Sequence, residues 1–219
     1  MMKPLILINC KTYAEVSGEK GLRFARKIAA VKSAKYEIGI APPLLLLREV
    51  GQKVRIPVFA QHVDSEEYGA HTGQILASEV KEAGARGVIL NHSEHKLTFE
   101  RLGRSVELCK KRGLEVVICA ATVTEVKKVA KLKPEYIAYE PAALIGGAVS
   151  VVSAKPKIIE EVVRAVHKLS GRTRVLCGAG VHDREDLQTA IRLGACVVLL
   201  AHAIDTARDP AMVLRKMMR

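Results

Sequence analysis

Three residues of the chain, Lys11, His92 and Glu140, carry side chains suited to acid–base chemistry and occupy comparable places in the sequence. Each closely follows a run of apolar residues that we predict to be a β-strand. A carboxylate can serve as a base, an imidazole as an acid or electrophile, and an ammonium group can face an anion. Together, the three side chains predict proton transfer on a negatively charged substrate.

Glycine-rich turns follow two of the later predicted strands. Gly146-Gly147 comes after the sixth strand, and Gly178-Ala179-Gly180 comes after the seventh. Small residues let backbone N–H groups approach a dianion closely, so these turns predict a phosphate site. The chain has 35 Lys and Arg against 23 Asp and Glu, a net charge of +12, which favours the attraction of an anionic substrate.

The elements that must position these residues alternate regularly along the chain. Eight short apolar runs recur, and most are continuous, as is typical of parallel strands buried on both faces. The predicted strands are Leu5–Ile8, Glu37–Ala41, Val58–Gln61, Val88–Leu90, Glu115–Cys119, Tyr136–Tyr139, Val175–Cys177 and Val197–Leu200. Helical patterns separate them, which predicts an α/β fold, a (β/α)8 barrel, as a single domain over residues 1–219. In such a barrel the carboxyl ends of all strands meet at one face.

Apolar residues at spacings of three and four predict the helices between the strands. The predicted helical segments are Gly18–Val31, Leu97–Arg112, Thr124–Leu132, Lys157–Leu169 and Arg184–Leu193. Pro42-Pro43 and Asp209-Pro210 mark the starts of two more, since proline is tolerated in a first turn. Gly113, Gly171 and Gly194 are placed as glycines that end helices.

The amino-acid composition argues against several other classes of protein. Apolar residues make up 49% and charged residues 26%, values typical of globular domains. No apolar run approaches the ~20 residues that span a membrane. The apolar stretch Pro4–Ile8 is too short for the core of a signal peptide. We therefore expect a cytoplasmic protein without a membrane partner.

Cysteine, basic and amide residues give three further indications. The number of cysteines is odd and no CxxC occurs, which predicts reduced, buried thiols and no disulfide or metal site. The basic residues are spread over helical patterns, and 5 Tyr with 3 Phe offer few stacking platforms, which argues against a nucleic-acid partner. Low Asn and Gln content favours a heat-adapted organism.

Six motifs, in order and each after the expected strand, resemble those of the triosephosphate isomerase family in its short archaeal form. They are NCK at 9–11, FAQHVD at 59–64, YGAHTG at 68–73, LNHSEHK at 90–96, AYEPAALIG at 138–146 and GAG at 178–180. The resemblance runs from Ile8 to the final helix. It implies the TIM barrel, the fold that the strand count also predicts.

The resemblance implies a reaction and three catalytic roles. This family interconverts dihydroxyacetone phosphate and glyceraldehyde 3-phosphate through an enediol(ate), in glycolysis and gluconeogenesis, without a cofactor or metal. Glu140 matches the general base, and His92 matches the neutral imidazole that polarises the carbonyl, a role for which the family is known. Lys11 matches the cation that stabilises developing negative charge. We expect a helix starting just after His92 to disfavour its protonation.

The resemblance also assigns supporting positions. It implies substrate or phosphate contacts for Asn9, Cys10, Lys11, Ile145, Gly146, Gly180, Ala201 and His202. Glu94 matches an acid that positions these groups, and the loop Pro141–Ala148 matches a closing lid. Thr72 matches a threonine that reaches into the site of a neighbouring subunit. This implies a homo-oligomer, with a tetramer favoured over a dimer.

The chain departs from the family pattern after the eighth strand, where His202-Ala203 replaces Gly-Gly or Ser-Gly. If this position needs φ > 0, alanine costs about 1 kcal/mol, and His202 either crowds the phosphate or donates to it. Two other functions stay open, a different sugar-phosphate isomerase or epimerase and a non-catalytic binding protein. Asp64, Asp183 and Asp205 lie beyond the strand ends, which argues against the first, and the Lys–His–Glu set argues against the second.

Overall fold

The computed structural model describes residues 3–141, 156–178, 181, 183–195 and 197–219, with only the backbone at 197, 198, 202 and 203. Eight parallel strands form one sheet. They are β1 (Leu5–Asn9), β2 (Glu37–Ala41), β3 (Phe59–Ala60), β4 (Gly87–Leu90), β5 (Glu115–Ala120), β6 (Tyr136–Tyr139), β7 (Arg174–Cys177) and β8 (Val197–Leu200).

The sheet closes on itself. The strands neighbour one another in the order β2-β1-β8-β7-β6-β5-β4-β3. The two end strands of that order, β2 and β3, are joined by a parallel bridge between Ile40 and Val58. The Ile40 N–H also donates to the Pro57 carbonyl at 2.9 Å. The predicted (β/α)8 barrel is therefore confirmed.

Both faces of the strands are buried, which explains why the apolar runs are continuous. In β1, Leu5 and Leu7 belong to the cluster inside the barrel, whereas Ile6 and Ile8 belong to the cluster between strands and helices. The inner cluster comprises Leu5, Leu7, Ala41, Phe59, Ile89, Val117, Cys119, Tyr136, Ala138, Leu176 and Leu199. The barrel interior is thus a packed core that holds the strand ends in register.

Helices cover the outside of the barrel. They are α1 (Gly18–Ala29), α2 (Leu47–Lys53), α3 (Ala77–Glu82), α4 (Phe99–Lys111), α5 (Val123–Ala130), α6 (Pro156–Leu169), α7 (Arg184–Arg192), α8 (His202–Asp205) and α9 (Pro210–Met218). The five helices predicted from apolar spacing are confirmed within one to two residues at each end. The short helix α3 was not predicted from the spacing, because six residues contain fewer than two helical turns.

Helix ends follow local chemistry in most of the predicted places. Asp209 caps α9, with its side chain accepting from the Met212 N–H at 3.0 Å, and Pro210 opens the helix as predicted. Gly113 and Gly194 follow α4 and α7 with φ of 65° and 91°, values that favour glycine. Gly171 follows α6 as predicted, but without the positive φ of the other two glycines.

At the amino end of the barrel, charged side chains are closely paired. The Arg86 guanidinium donates to Glu37 at 2.7 Å and to Glu115 at 2.9 Å. Arg174 donates to the Tyr136 hydroxyl at 2.7 Å and lies over its ring. These contacts join the starts of β2 and β5 to the segment just before β4, and the start of β7 to the start of β6.

Cys10, Cys109, Cys119 and Cys177 are free and buried, as predicted, while Cys196 lies outside the described residues. Within the described residues, the helices are too short or too polar to cross a membrane.

Candidate active site

Lys11 lies in the loop after β1 with an unusual backbone conformation. Its φ is 47°, in the left-handed region that side chains other than glycine rarely adopt. Three hydrogen bonds secure the loop. Asn9 Oδ1 accepts from the Lys11 N–H at 3.1 Å, Gln61 Nε2 donates to the Lys11 carbonyl at 2.9 Å, and the Cys10 N–H donates to the Ala41 carbonyl at 3.0 Å. Strained backbone held this firmly is typical of functional sites.

The Lys11 ammonium group reaches across the mouth of the barrel to the loop after β4. Its Nζ donates to Glu94 Oε1 at 2.6 Å. The Lys11 side chain is 15% exposed, whereas that of Glu94 is 57% exposed. The Lys11 ammonium is therefore the better shielded of the two groups. Glu94 orients it, while part of the Lys11 side chain remains exposed at the mouth of the barrel.

The loop after β4 is shaped by Asn91, whose φ of 60° is also left-handed. Asn91 Nδ2 donates to the Cys119 carbonyl and to Glu125 Oε1, both at 2.9 Å. Asn91 Oδ1 accepts from the Leu97 N–H at 3.1 Å. These bonds turn the chain sharply after β4 and direct the next residue, His92, into the mouth of the barrel.

His92 is buried, and the tautomer of its imidazole follows from one backbone contact. The Glu94 N–H donates to His92 Nδ1 at 3.3 Å, so Nδ1 is the acceptor and Nε2 carries the hydrogen of the neutral ring. Burial lowers the pKa of His92 below its ordinary value, Lys11 and Lys96 act in the same direction, and Glu94 opposes them. The imidazole is therefore neutral at neutral pH.

The expected reason for this neutrality was wrong. No helix starts just after His92, because α4 begins at Phe99, behind an N-cap at Thr98. The residues between form turns, and one of them places the Glu94 N–H against His92. Protonation of His92 is disfavoured by burial and by neighbouring ammonium groups, not by the end of a helix.

Glu140 directly follows β6 and is fully enclosed. Its backbone N–H donates to the Ala120 carbonyl at 2.9 Å, and 4% of the residue is exposed. Its Oε2 has no hydrogen-bond partner among the described residues and lies 3.8 Å from His92 Nε2. Burial raises the pKa of Glu140 to about 7, although the Cys119 thiol and Lys11 act in the opposite direction. Such a carboxyl group can both accept and return a proton near neutral pH.

The space that Glu140 occupies is left open by Gly178, the residue after β7. A Cβ atom at position 178 would come within 2.6 Å of Glu140 Cδ and Oε1. The sequence pattern assigned this glycine to a phosphate turn. The structure gives it a different role, since the absence of a side chain there makes room for the carboxylate.

A cavity of about 340 Å³ opens between the loops after β1, β3 and β4. It is lined by Asn9, Lys11, Thr12, Leu44, Gln61, His62, Ile75, His92, Glu94 and His95. The rings of His62 and His95 stack in its wall with centroids 4.0 Å apart. The cavity thus combines the Lys11 ammonium, the His92 imidazole and the Asn9 amide on one surface.

Only part of the predicted phosphate site can be placed. Ile145, Gly146, Gly180 and all of the lid segment beyond Pro141 lie outside the described residues. Ala201 is described, and its carbonyl accepts from the Ile204 and Asp205 N–H groups in the first turn of α8.

Ala203 does not carry the strain that a positive φ would have caused. This residue lies within the short helix α8, so its backbone is helical and φ is not positive. The side chain of His202 is outside the described part of the chain, and the two alternatives for it stay predictions.

Two other predicted residues lie at different depths. Cys10 is buried and packs in the core behind the loop. Thr72 is exposed near the tip of the loop that follows β3. Asp64 closes the base of that loop, because it accepts from the Ile75 N–H at 2.8 Å and its own N–H donates to the Ile75 carbonyl at 2.8 Å.

Sequence reasoning did not assign roles to Gln61 and Cys119. Gln61 lies in the FAQHVD motif, but only the structure shows its amide bound to the Lys11 and Ala41 carbonyls. Cys119 is the fifth residue of β5 and hydrogen-bonds the Glu140 carboxylate from inside the barrel. The available signal was its place in the strand, where every second side chain points inward.

This parallel (β/α)8 barrel brings an ammonium, a neutral imidazole and a buried carboxylate together at the carboxyl ends of its strands. That combination defines a class of protein, a barrel enzyme equipped for acid–base catalysis. A sequence model of triosephosphate isomerase matches residues 4–217. The chain therefore belongs to the triosephosphate isomerase family and is an isomerase.

Relatives of known name agree over nearly the whole length. Triosephosphate isomerases of Methanoculleus marisnigri and Methanocaldococcus jannaschii are 43% and 40% identical over 216 residues, which is 98% of this chain and 97% and 99% of theirs. That of Methanosarcina acetivorans is 40% identical over 100% of this chain and 99% of its own. The crystal structure of triosephosphate isomerase from Bartonella henselae matches with a TM-score of 0.77 over 100% of both chains. At 22% identity, that likeness shows the fold alone.

Proposed function

We propose that the protein interconverts dihydroxyacetone phosphate and glyceraldehyde 3-phosphate, with Glu140 as the base, His92 as the hydrogen-bond donor and Lys11 as the cation. The observation that carries this assignment is the unpartnered Oε2 of Glu140, buried 3.8 Å from Nε2 of a neutral His92. The Lys11 charge acts on both groups. A substrate that lies against both side chains would present a carbon to Glu140 and the neighbouring carbonyl oxygen to His92.

The first step transfers a proton from carbon to Glu140. The carboxylate takes a proton from C1 of dihydroxyacetone phosphate, and the electron pair of that C–H bond forms the C1–C2 double bond. The carbonyl π electrons move onto the oxygen at C2, where the His92 Nε2–H donates a hydrogen bond. The Lys11 ammonium stabilises the negative charge in this buried site.

The second step returns the proton to the other carbon. The hydroxyl proton on the C1 oxygen moves to the C2 oxygen by way of His92, and the electrons of the double bond accept the proton from Glu140 at C2. The C1 oxygen becomes the aldehyde carbonyl, and Glu140 is again a carboxylate. Both steps are proton transfers without net oxidation, so the proposed reaction calls for no cofactor or metal.

The remaining residues of the proposal hold the substrate. Asn9 and Lys11 face the cavity and are assigned to the substrate oxygens, and Glu94 keeps the ammonium in place. The phosphate is assigned to backbone N–H groups at Ile145, Gly146, Gly180, Ala201 and His202, and the Lys11 ammonium is assigned as its counter-charge. The first N–H groups of a helix such as α8 lack partners within it, which supports this assignment for the last two.

The test is a coupled assay of purified protein with glyceraldehyde 3-phosphate, comparing wild type with Glu140→Gln. We expect the variant to lose on the order of 10³-fold in kcat, because the amide cannot accept the proton. In D2O, the wild type is expected to incorporate deuterium at the carbon that receives the proton. A variant that retains wild-type turnover would show that Glu140 is not the base.

Glu107→Gln is the matched control for this experiment. Glu107 lies on α4 with a 67% exposed side chain and pairs only with Arg104 on the same helix among the described residues. We expect its kcat to equal that of the wild type, because the control removes the same charge far from the site. Loss of turnover in both variants would indicate a general effect of charge.

We also propose that the protein is a homo-oligomer, a tetramer in preference to a dimer, and that it acts in the cytoplasm in glycolysis and gluconeogenesis. Thr72 is exposed near the tip of its loop, and Leu45 is 96% exposed beside Leu44, which supports contacts with further copies. Light scattering coupled to gel filtration tests the oligomer, and a monomeric mass would contradict it.

A further inference from the structure

Asp205 is a buried acid for which the proposed mechanism has no role. It is the last residue of α8, the short helix directly after β8, and only 2% of it is exposed. Neither of its carboxylate oxygens has a hydrogen-bond partner among the described residues. Such a group is costly to bury in its ionised form, so its charge state is sensitive to nearby charges.

The nearest part of the active site is the end of β1. Strands β8 and β1 are neighbours in register, with Leu200 opposite Ile8, so the residues after β8 lie beside Cys10 and Lys11. Asp205 acts electrostatically on the Cys10 thiol, and the Lys11 ammonium acts on Asp205. The carboxyl group is therefore within electrostatic reach of the ammonium that the proposed mechanism uses.

No other described charge is known to act on this carboxyl group. Helix α9 packs against α8, and its basic residues, Arg215 and Lys216, lie in its last turn. Arg208 and Asp209, which follow α8, are exposed. Of the described titratable groups, Lys11 and Cys10, both from the end of β1, are thus the ones that face Asp205.

Burial raises the pKa of Asp205 to about 8, and Lys11 counters only part of this effect. Near neutral pH the carboxyl group is accordingly uncharged, and in mildly alkaline solution it ionises. A negatively charged ligand bound at Lys11 would disfavour the ionisation of Asp205 further, because a nearby negative charge raises the pKa of an acid.

We propose that Asp205 is a positioning residue that sets how strongly Lys11 binds the substrate phosphate. When uncharged, Asp205 leaves the ammonium to Glu94 and the ligand. When ionised, it attracts the same ammonium and repels the incoming dianion. Binding of a dianion is then coupled to uptake of a proton by Asp205. This inference rests on the proposed role of Lys11 toward the substrate.

Inorganic sulfate is the probe, because it remains a dianion throughout the relevant pH range, unlike a phosphate. Its dissociation constant is measured by calorimetry for wild type and Asp205→Asn at about pH 6 and about pH 9. We expect equal affinities at the lower pH and, at the higher pH, on the order of tenfold tighter binding by the variant. Glu140 and His92 titrate in both proteins, so the difference between the two isolates position 205.

Asp209→Asn is the matched control. It removes one negative charge at an exposed position, four residues after Asp205. Asparagine caps a helix as well as aspartate does, so α9 keeps its cap. We expect its sulfate affinity to stay within about twofold of wild type at both pH values, because exposed charges are screened.

Three results would overturn the proposal. These are equal affinities of Asp205→Asn and wild type at the higher pH, an equal gain at both pH values, and weaker binding by the variant at both. Lys11→Met separates this inference from the proposed function. If Lys11→Met abolishes sulfate binding while Asp205→Asn has no effect, only the inference fails, and if Lys11→Met binds sulfate normally, the role of Lys11 itself fails.

A second variant and a second measurement cover poor folding of Asp205→Asn. Asp205→Ser removes the same charge with a smaller side chain, and the same affinity ratios are expected. If neither variant folds, Glu140→Gln is titrated with sulfate at about pH 8.5 in two buffers of different ionisation enthalpy. Proton uptake on binding would support Asp205 as the coupled acid, and no uptake would overturn the proposal.

Discussion

At the amino end of the barrel, Arg86 lies between Glu37 and Glu115 and hydrogen-bonds both, whereas at the carboxyl end two acids are buried with unpaired oxygens. Glu115 does leave one buried oxygen without a described partner, but its other oxygen accepts from Arg86. At the carboxyl end, Asp205 lacks any hydrogen-bond partner among the described residues, and Glu140 leaves free the oxygen that faces His92.

This difference separates stability from chemistry within one fold. Burial would lower the pKa of Arg86, yet Glu115 and Glu37 raise it, so pairing there outweighs the cost of burial. Burial instead raises the pKa values of Glu140 and Asp205 to about 7 and about 8, which means that their ionisation opposes folding. The carboxyl end gives up stability to keep groups that can exchange protons near neutral pH.

A large effect on activity is expected at the carboxyl end of the barrel, when the space beside Glu140 is filled. Gly178→Ala places a methyl group where the carboxylate lies, so Glu140 must move. A displacement of about 1 Å in a reacting group is expected to lower kcat on the order of 100-fold, measured in the coupled assay.

Gly103→Ala is the control for that substitution. A Cβ atom there would meet only Leu132 Cδ2, at an ordinary 3.8 Å. We expect unchanged kcat and slightly higher stability, since alanine is the better helix former. If Gly178→Ala is as active as Gly103→Ala, the close approach of Gly178 to Glu140 has no role in positioning the base.

A second experiment measures what the unpaired base costs the fold. The pKa of Glu140 is raised from an ordinary 4.5 to about 7, so the native state binds the proton more tightly and stability is lost as pH rises through this range. Glu140→Gln removes that loss and is expected to increase the free energy of unfolding by up to about 3 kcal/mol near pH 8. Near pH 4 the gain should disappear. Urea unfolding at equal subunit concentration measures both values, and a gain that is independent of pH would contradict this account.

The smallest effect is expected at the amino end. Arg86→Met leaves Glu37 and Glu115 without their shared partner, and both are about one-third to one-quarter exposed. Because water screens them in part, we expect the free energy of unfolding to fall by only about 1–2 kcal/mol, with kcat/KM of the folded enzyme unchanged. A selective loss of kcat/KM without loss of stability would reverse the roles assigned to the two ends.

The strands and the grouping of Lys11, His92 and Glu140 at one end of the barrel could be predicted because both follow from simple rules. The runs Glu37–Ala41, Tyr136–Tyr139 and Val197–Leu200 match β2, β6 and β8 residue for residue, since a strand buried on both faces must be apolar throughout. The convergence of Lys11 with His92 follows from parallel strands ending at one face. The run Val58–Gln61 was less informative, because only its middle two residues form β3.

The rest depends on how loops fold back, which strand patterns do not encode. Asp205 lies five residues beyond β8. No sequence pattern indicates that the short helix α8 buries its side chain. The left-handed backbones of Lys11 and Asn91 likewise result from hydrogen bonds to residues distant in sequence, such as Gln61 and Cys119. Propensity alone predicts such a conformation for glycine, not for lysine.

The meeting of β2 and β3 has a consequence for the motion of the barrel. One backbone bridge, between Ile40 and Val58, joins these strands, and the Gln61 amide adds a link to the Ala41 and Lys11 carbonyls. A seam with so few backbone hydrogen bonds opens at lower free energy than a long ladder such as that of β1 with β2, so we expect its amide protons to exchange with solvent sooner than those of that pair. Each opening also releases the Lys11 carbonyl. We therefore expect opening of this seam to loosen one of the hydrogen bonds that hold the backbone at Lys11.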